Sequence, residues 1–217
     1  MTFPIPRLYA IIDPARTGTL SPVEVTEVLL QAGVRLIQYR DKKGSSRRIF
    51  ETSVQISERV RTAGGIFIVN DRADVARVTG ADGVHVGQED LPVELARHVL
   101  EMGPVPGQQP SQIVGCSTHN LMQLEEADAT SADYIAFGPV FETQSKEKQD
   151  PVVGPNGLRA ARKVTSKPLV AIGGITLKNA AGVIHAGANA IAVIGDLLTA
   201  PDIGKRAREF LSVLGGL

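Results

Sequence analysis

The chain has 217 residues, which suits one β/α barrel and is ample for a large buried core. Hydrophobic residues make up 43% and charged residues 21%, arguing against bulk disorder, and 23 Lys plus Arg against 23 Asp plus Glu leave no global field to attract nucleic acid or an anionic membrane. A lone cysteine, Cys116, rules out an intramolecular disulfide and a cysteine zinc site, while three Tyr, six Phe and no Trp offer little for base stacking.

Short β-branched apolar runs alternate with longer amphipathic segments, the pattern of repeated βα units and a parallel sheet. The first strand is predicted over 8–13, running directly from an N-terminus without the basic, apolar and cleavable regions of a leader, so an unprocessed cytoplasmic protein is expected. Ser21 and Pro22 open a helix to Ala32, stopped by Gly33. Strands over 35–42 and 66–71 flank a helix over 46–63, and a short helix starts at Ala73. Strand 83–87 precedes a helix over 92–102, and strand 113–117 a helix over 121–129. Strand 134–140, helix 156–164, strand 168–173, a helix from Leu177, strand 190–194 and a helix from Pro201 complete eight units. That count fits a single closed (β/α)₈ TIM barrel over 1–217, and no GxGxxG follows the first strand to support an open dinucleotide-binding sheet. The connection 103–112 follows a helix and belongs to the bottom face; 141–155 follows a strand and belongs to the top face, where long loops act as lids.

Unusual polar residues gather where strands end, and in a barrel those ends converge on one mouth. Period-two alternation sets Gln38, Arg40 and Lys42 on one side of the second strand, three anion-binding side chains pointing one way, with Tyr39 and Asp41 between them. Asn70 and Asp71 end the third strand, and Asp90 follows the fourth. Two carboxylates at one mouth suit Mg²⁺ bridging to a diphosphate, although Asp90 stands just before Leu91 and Pro92 and has an alternative role as helix cap. Ser117 lies beyond the fifth strand without a triad or GxSxG elbow, which makes it a hydrogen-bond donor to ligand rather than a nucleophile. His119 suits a helix cap, and His85, inside a strand, reads as a satisfied core histidine. The lid run Thr143-Gln144-Ser145-Lys146 brings hydroxyls and a cation. Glycines at 173, 174 and 195 bare backbone N–H groups where barrels commonly hold phosphate.

Six segments in series, Gln38-Tyr39-Arg40-Asp41-Lys42, Asn70-Asp71-Arg72-Ala73-Asp74, 81–90 (ADGVHVGQED), Gly115-Cys116-Ser117-Thr118-His119, Thr143-Gln144-Ser145-Lys146 and Ala171-Ile172-Gly173-Gly174-Ile175, resemble the thiamine phosphate synthase family. The resemblance implies a transferase that joins 4-amino-5-hydroxymethyl-2-methylpyrimidine diphosphate to a thiazole phosphate, giving thiamine phosphate and diphosphate through a pyrimidine cation. It implies Mg²⁺ on Asp71 and Asp90. It places Gln38, Arg40, Lys42, Asn70, Ser117 and Lys146 around the pyrimidine diphosphate, with Arg40, Lys42, Ser117 and Lys146 as the catalytic set. Thr143, Ser145, Gly174, Ile194 and Gly195 fall to the thiazole side, and Tyr39, Asp41 and Gln144 are implied to bind substrate. A homo-oligomer is compatible with this reading; nucleic acid and membrane partners are not expected. Gly195 departs from the Ser often found in the family. A related thiazole tautomerase has no use for Arg40, Lys42, Asp71, Asp90 and Lys146 together, and a non-catalytic phosphate-binding barrel has little use for the lid cation.

Overall fold

A computed structural model describes residues 5–102, 113–143 and 150–216. Eight parallel strands close into a barrel in chain order: β1 (Leu8–Ile12), β2 (Leu36–Tyr39), β3 (Ile66–Asn70), β4 (Gly83–Val86), β5 (Ile113–Thr118), β6 (Tyr134–Phe137), β7 (Leu169–Ile172) and β8 (Ala190–Val193). Around them run α1 (Pro22–Gln31), α2 (Ser46–Thr62), α3 (Ala73–Thr79), α4 (Val93–Glu101), α5 (Leu121–Asp128), α6 (Gly154–Val164), α7 (Ala180–His185), α8 (Gly195–Leu198) and α9 (Ile203–Gly215). No helix among the described residues is long and apolar enough to cross a membrane.

Local chemistry fixes the element ends. Ser21 caps α1 through a capping box, its hydroxyl accepting from Glu24 N at 3.2 Å while Glu24 accepts from Ser21 N at 2.7 Å. Two expected strands end early. Arg40 and Lys42 lie beyond β2, and β6 stops at Phe137 because Pro139 carries no N–H to extend the ladder. Helix α7 begins at Ala180 rather than Leu177, since Asn179 Oδ1 takes the Thr176 N–H at 2.8 Å and holds the intervening residues in a turn. Helix α9 starts at Ile203, two residues later than Pro201, because Asp202 caps it by accepting from Lys205 N at 2.7 Å. The short α8 carries no apolar period of its own and was not anticipated.

Strand alternation divides the core in two. Ala10, Ile12, Ile37, Phe67, Val69, Ile135 and Phe137 join helix residues such as Leu29, Ile56, Leu124 and Leu158 in the outer layer. Tyr9, Ile11, Leu36, Ile68, Tyr134, Ala136, Val170, Ala190 and Ala192 form a separate cluster that fills the lumen. Small residues on β6 and β8 leave room for the rings. Gly115 is required for one of them, because a Cβ there would stand 2.0 Å from the Tyr134 ring.

A repeated device closes the bottom of the barrel. Just before β4, β6 and β8 stand Asp82, Asp133 and Asn189, whose side-chain oxygens accept from the N–H of Phe67, Val114 and Leu169 on the preceding strand at 2.7, 2.8 and 2.8 Å. Each satisfies a backbone donor that burial would otherwise orphan. Asp133 also holds Arg97 at 2.7 Å. Asp133→Ala should therefore lower stability by about 1–3 kcal/mol in denaturant melts, the cost of a buried donor left unpaired, while leaving turnover unchanged. A melt equal to wild type would assign the strand start to packing alone.

Candidate active site

The end of β2 supplies a basic arm with the anticipated alternation. Gln38, 2% exposed, faces the lumen and donates from Nε2 to Tyr9 Oη at 2.7 Å. Arg40 prolongs the β1–β2 ladder through its N–H to Ile12 O at 2.9 Å, and its guanidinium meets Asp13 Oδ2 at 2.6 Å. Lys42 Nζ lies 2.5 Å from Asp71 Oδ2. Tyr39 and Asp41 go the other way. Tyr39 belongs to the outer core and donates to Asp41 Oδ2 at 3.1 Å, and Asp41 accepts from Gly44 N at 2.8 Å and pairs with Arg48 of α2 at 3.0 Å. The pleat turns these two into the wall, where they shape the loop that carries Lys42.

The carboxylates come from β3 and β4. Asn70 is the in-register neighbour of His85, which directs it to the mouth side of the lumen. Asp71 adopts a left-handed conformation at φ 61°, pinned by its N–H to His85 O at 2.8 Å. Asp90 does not cap α4, whose start at Pro92 has no side-chain cap; it folds back to accept from Gly87 N at 2.8 Å. The two carboxyls share a hydrogen bond. Burial first, then that bond, pushes Asp71 up to about 6 against the opposing pull of Lys42. Burial acts upward on Asp90 too, but the proton offered by Asp71, the Gly87 N–H and the Lys42 charge outweigh it and hold Asp90 below the ordinary carboxylate range. Two neighbouring carboxyls, one pushed up and the other held low, make a place where a cation fits. Among the described residues no group of three or more His, Cys, Asp or Glu could hold a metal, so the protein offers these two oxygen donors and leaves the rest to ligand and water.

Ser117 accepts at Oγ from or donates to His85 Nε2 at 2.8 Å, and its carbonyl is held by Gln88 Nε2 at 2.6 Å. His85 also meets Tyr134 Oη through Nδ1 at 3.0 Å, a core histidine with both nitrogens engaged. His119 is no helix cap: Asn120 caps α5, and His119 Nδ1 reaches Gly138 O at 2.7 Å, with Asp150 at 3.6 Å. Cys116 is buried and its thiol is pushed up to about 11, which removes it as a nucleophile at neutral pH.

Opposite the carboxylates, β7 ends in Gly173 and Gly174 at φ 95° and 62°. A Cβ on Gly174 would stand 2.4 Å from Glu142 O, so glycine alone lets this turn lie against the segment leading to Thr143. Ile194 and Gly195 follow β8, with open space where a Gly195 Cβ would be. Gln144, Ser145 and Lys146 lie outside the described residues. Sequence reading missed Asp13, Tyr9 and Tyr134. The two tyrosines did carry a signal, being polar-tipped residues at inward positions of their strands.

A protein-family model described as thiamine monophosphate synthase matches residues 8–197. The chain belongs to the thiamine monophosphate synthase family. It is 47% identical over 214 residues to the thiamine-phosphate synthase of Koribacter versatilis, covering 97% of this chain and 96% of that one. The thiamine-phosphate synthase of Chloroflexus aurantiacus is 39% identical over 96% of this chain and 92% of its own. Among solved structures, a thiamine phosphate pyrophosphorylase from Pyrococcus furiosus superposes with a TM-score of 0.84 at 33% identity, covering 97% and 96% of the two chains. Membership makes the chain a transferase of thiamine biosynthesis.

The Asp71 shift has a consequence for the metal-free protein. The folded value of about 6 lies above the ordinary 3.8, so the stability Asp71 confers is complete below about 3.8 and is lost as pH rises through about 6. Asp71→Asn keeps a donor for Asp90 and tolerates the left-handed backbone, but cannot ionise. The difference in Tm between wild type and this variant, measured in chelator, should therefore turn against wild type as pH climbs from 4 to 7. A difference constant across that range would mean Asp71 ionises with an ordinary pKa.

Proposed function

We propose that this barrel joins 4-amino-5-hydroxymethyl-2-methylpyrimidine diphosphate to 4-methyl-5-(2-phosphooxyethyl)thiazole with Mg²⁺, by a dissociative route, in the cytoplasm. The observation that carries the reading is the convergence of Arg40, Lys42, Asp71 and Asp90 on one rim, cations and carboxylates together, with no activated nucleophile among the described residues.

Such a set is suited to neutralising a leaving group. The bond from the pyrimidine methylene to the diphosphate oxygen breaks with both electrons going to oxygen, and the aminopyrimidine ring stabilises the cation left behind. The thiazole nitrogen lone pair then forms the new C–N bond, giving the thiazolium of thiamine phosphate. Arg40 and Lys42 supply charge to the departing diphosphate, and each leaves a carboxylate partner to do so. Asp71 and Asp90 would hold Mg²⁺, which when bound neutralises diphosphate charge. Gln38, Asn70 and Ser117 orient the pyrimidine. Thr143, the Gly174 turn and the backbone of Ile194 and Gly195 take the thiazole phosphate, with Gln144 and Ser145, and Lys146 closes over the diphosphate in this reading. A coupled assay with both substrates, following diphosphate release, tests the activity; no release with both present would refute it.

Two further outcomes are expected. Two carboxylates alone make a weak Mg²⁺ site, so calorimetry should show diphosphate binding tightened by Mg²⁺ about 5- to 150-fold and Mg²⁺ binding tightened equally by diphosphate. Asp71→Asn and Asp90→Asn should each reduce that coupling, and the double variant should lose less than the sum. Coupling that survives in the double variant would remove both residues from the metal. Gly195→Ser meets nothing within 4 Å, so it should fold normally, change the KM for thiazole phosphate and leave pyrimidine diphosphate binding alone. The reverse pattern would move Gly195 to the other substrate.

A further inference from the structure

A continuous row of buried hydrogen bonds crosses the barrel lumen beneath the mouth. It runs from Gln38 on β2 to Tyr9 on β1 at 2.7 Å, to Tyr134 on β6 at 2.8 Å, to His85 on β4 at 3.0 Å, and to Ser117 on β5 at 2.8 Å. Both phenols are about 1% exposed or less, and burial holds both well above their ordinary pKa, so each brings one proton and no charge. Packing locks the row. The His85 ring stacks on Tyr134 with centroids 5.5 Å apart, Tyr9 meets Tyr134 edge-on at 5.9 Å, and a Cβ on Gly115 would stand 2.0 Å from the Tyr134 ring.

In such a row one donor direction propagates to the end. The Gln38 amide N–H occupies the Tyr9 oxygen, so the Tyr9 proton goes to Tyr134. The Tyr134 proton then goes to His85 Nδ1, and a neutral imidazole accepting at Nδ1 carries its proton on Nε2. That N–H donates to Ser117 Oγ. Two groups are left over. Gln38 Oε1 has no hydrogen bond among the described residues and can only accept, while the Ser117 hydroxyl, already accepting from His85, has its own proton to donate.

We propose that the Tyr9–Tyr134–His85 row is a specificity device that holds Gln38 as an acceptor and leaves the Ser117 proton for the ligand, so that the mouth selects a 4-aminopyrimidine edge. The exocyclic amino group donates and the adjacent ring nitrogen accepts, the complement of what the row presents. The 4-oxo ring sets its carbonyl against Gln38 Oε1, acceptor against acceptor, and its N3–H obliges Ser117 to turn its proton away and receive on its remaining lone pair. Tyr9, Tyr134 and His85 touch no substrate in this scheme; they are positioning residues. A Gln38 amide turned over would reverse every donor in the row and favour the 4-oxo ring instead. The ligand assignment rests on the function proposed above, whereas the proton order does not.

Two measurements test it. In ¹⁵N-histidine-labelled protein at neutral pH, His85, identified by the signal lost in His85→Asn, should show the Nε2–H tautomer. The second compares binding of the monophosphates of 4-amino-5-hydroxymethyl-2-methylpyrimidine and its 4-oxo counterpart by calorimetry. Wild type should prefer the amino ring by at least about 100-fold, because a site built around one hydrogen-bond pattern rejects ligands that break it. Tyr134→Phe should cut that preference about tenfold or more with inorganic diphosphate binding unchanged, and Tyr9→Phe should do the same should Tyr134→Phe fail to fold. An Nδ1–H tautomer in an enzyme with normal turnover overturns the proposal alone. So does a preference unaltered in both folded Phe variants, or equal weakening of both rings. Wild type that binds neither ring and releases no diphosphate overturns the functional reading together with the ligand assignment.

Discussion

Every strand of this barrel is hydrogen-bonded on both edges, so sliding any one by a single residue would exchange its lumen-facing and helix-facing side chains and break two ladders at once. The register is held at both ends. At the bottom, Asp82, Asp133 and Asn189 tie β4, β6 and β8 to the strands before them; at the top, Arg40 N and Asp71 N extend the ladders to Ile12 O and His85 O. Because closure puts the C-terminal ends of eight strands on one rim, groups more than a hundred residues apart in the chain share one mouth.

Charge in that mouth is balanced before any ligand arrives. Arg40 is paired with Asp13 and Lys42 with Asp71, while burial and the neighbouring Asp90 push Asp71 up and Asp90 is held low. An anion entering here does not meet bare cations. In the proposed reaction it would exchange partners, taking Arg40 and Lys42 from their carboxylates and freeing Asp71 for a divalent ion. On that reading cation and anion binding would be coupled through the same four side chains.

Beneath the charged rim the lumen is polar along a single line. Tyr9, Tyr134 and His85 occupy positions that in most barrels of this type hold branched aliphatic residues, and the small neighbours Gly115, Ala136, Ala190 and Ala192 compensate their volume. A buried row of this kind is stable when every member is satisfied. That requirement couples the protons into a single order, and in the order proposed above the two side chains at its ends carry opposite hydrogen-bonding character.

The sequence by itself determined the repeat, because apolar period and glycine punctuation are local properties. It also determined at which strand ends polar residues and glycines gather: the basic arm at 38–42, the carboxylates at 71 and 90, and the glycines at 173, 174 and 195 were all legible one segment at a time. Alternation alone separated Gln38, Arg40 and Lys42 from Tyr39 and Asp41. Only the tertiary structure decided the partners. Asp13 is 27 residues from Arg40, Tyr9 is 125 from Tyr134, and His85 is 32 from Ser117. Nothing local marks Asp71 for a left-handed backbone or sends Asp90 back to Gly87 instead of forward to its helix, since each choice is settled by what the neighbouring strand offers once the barrel has closed.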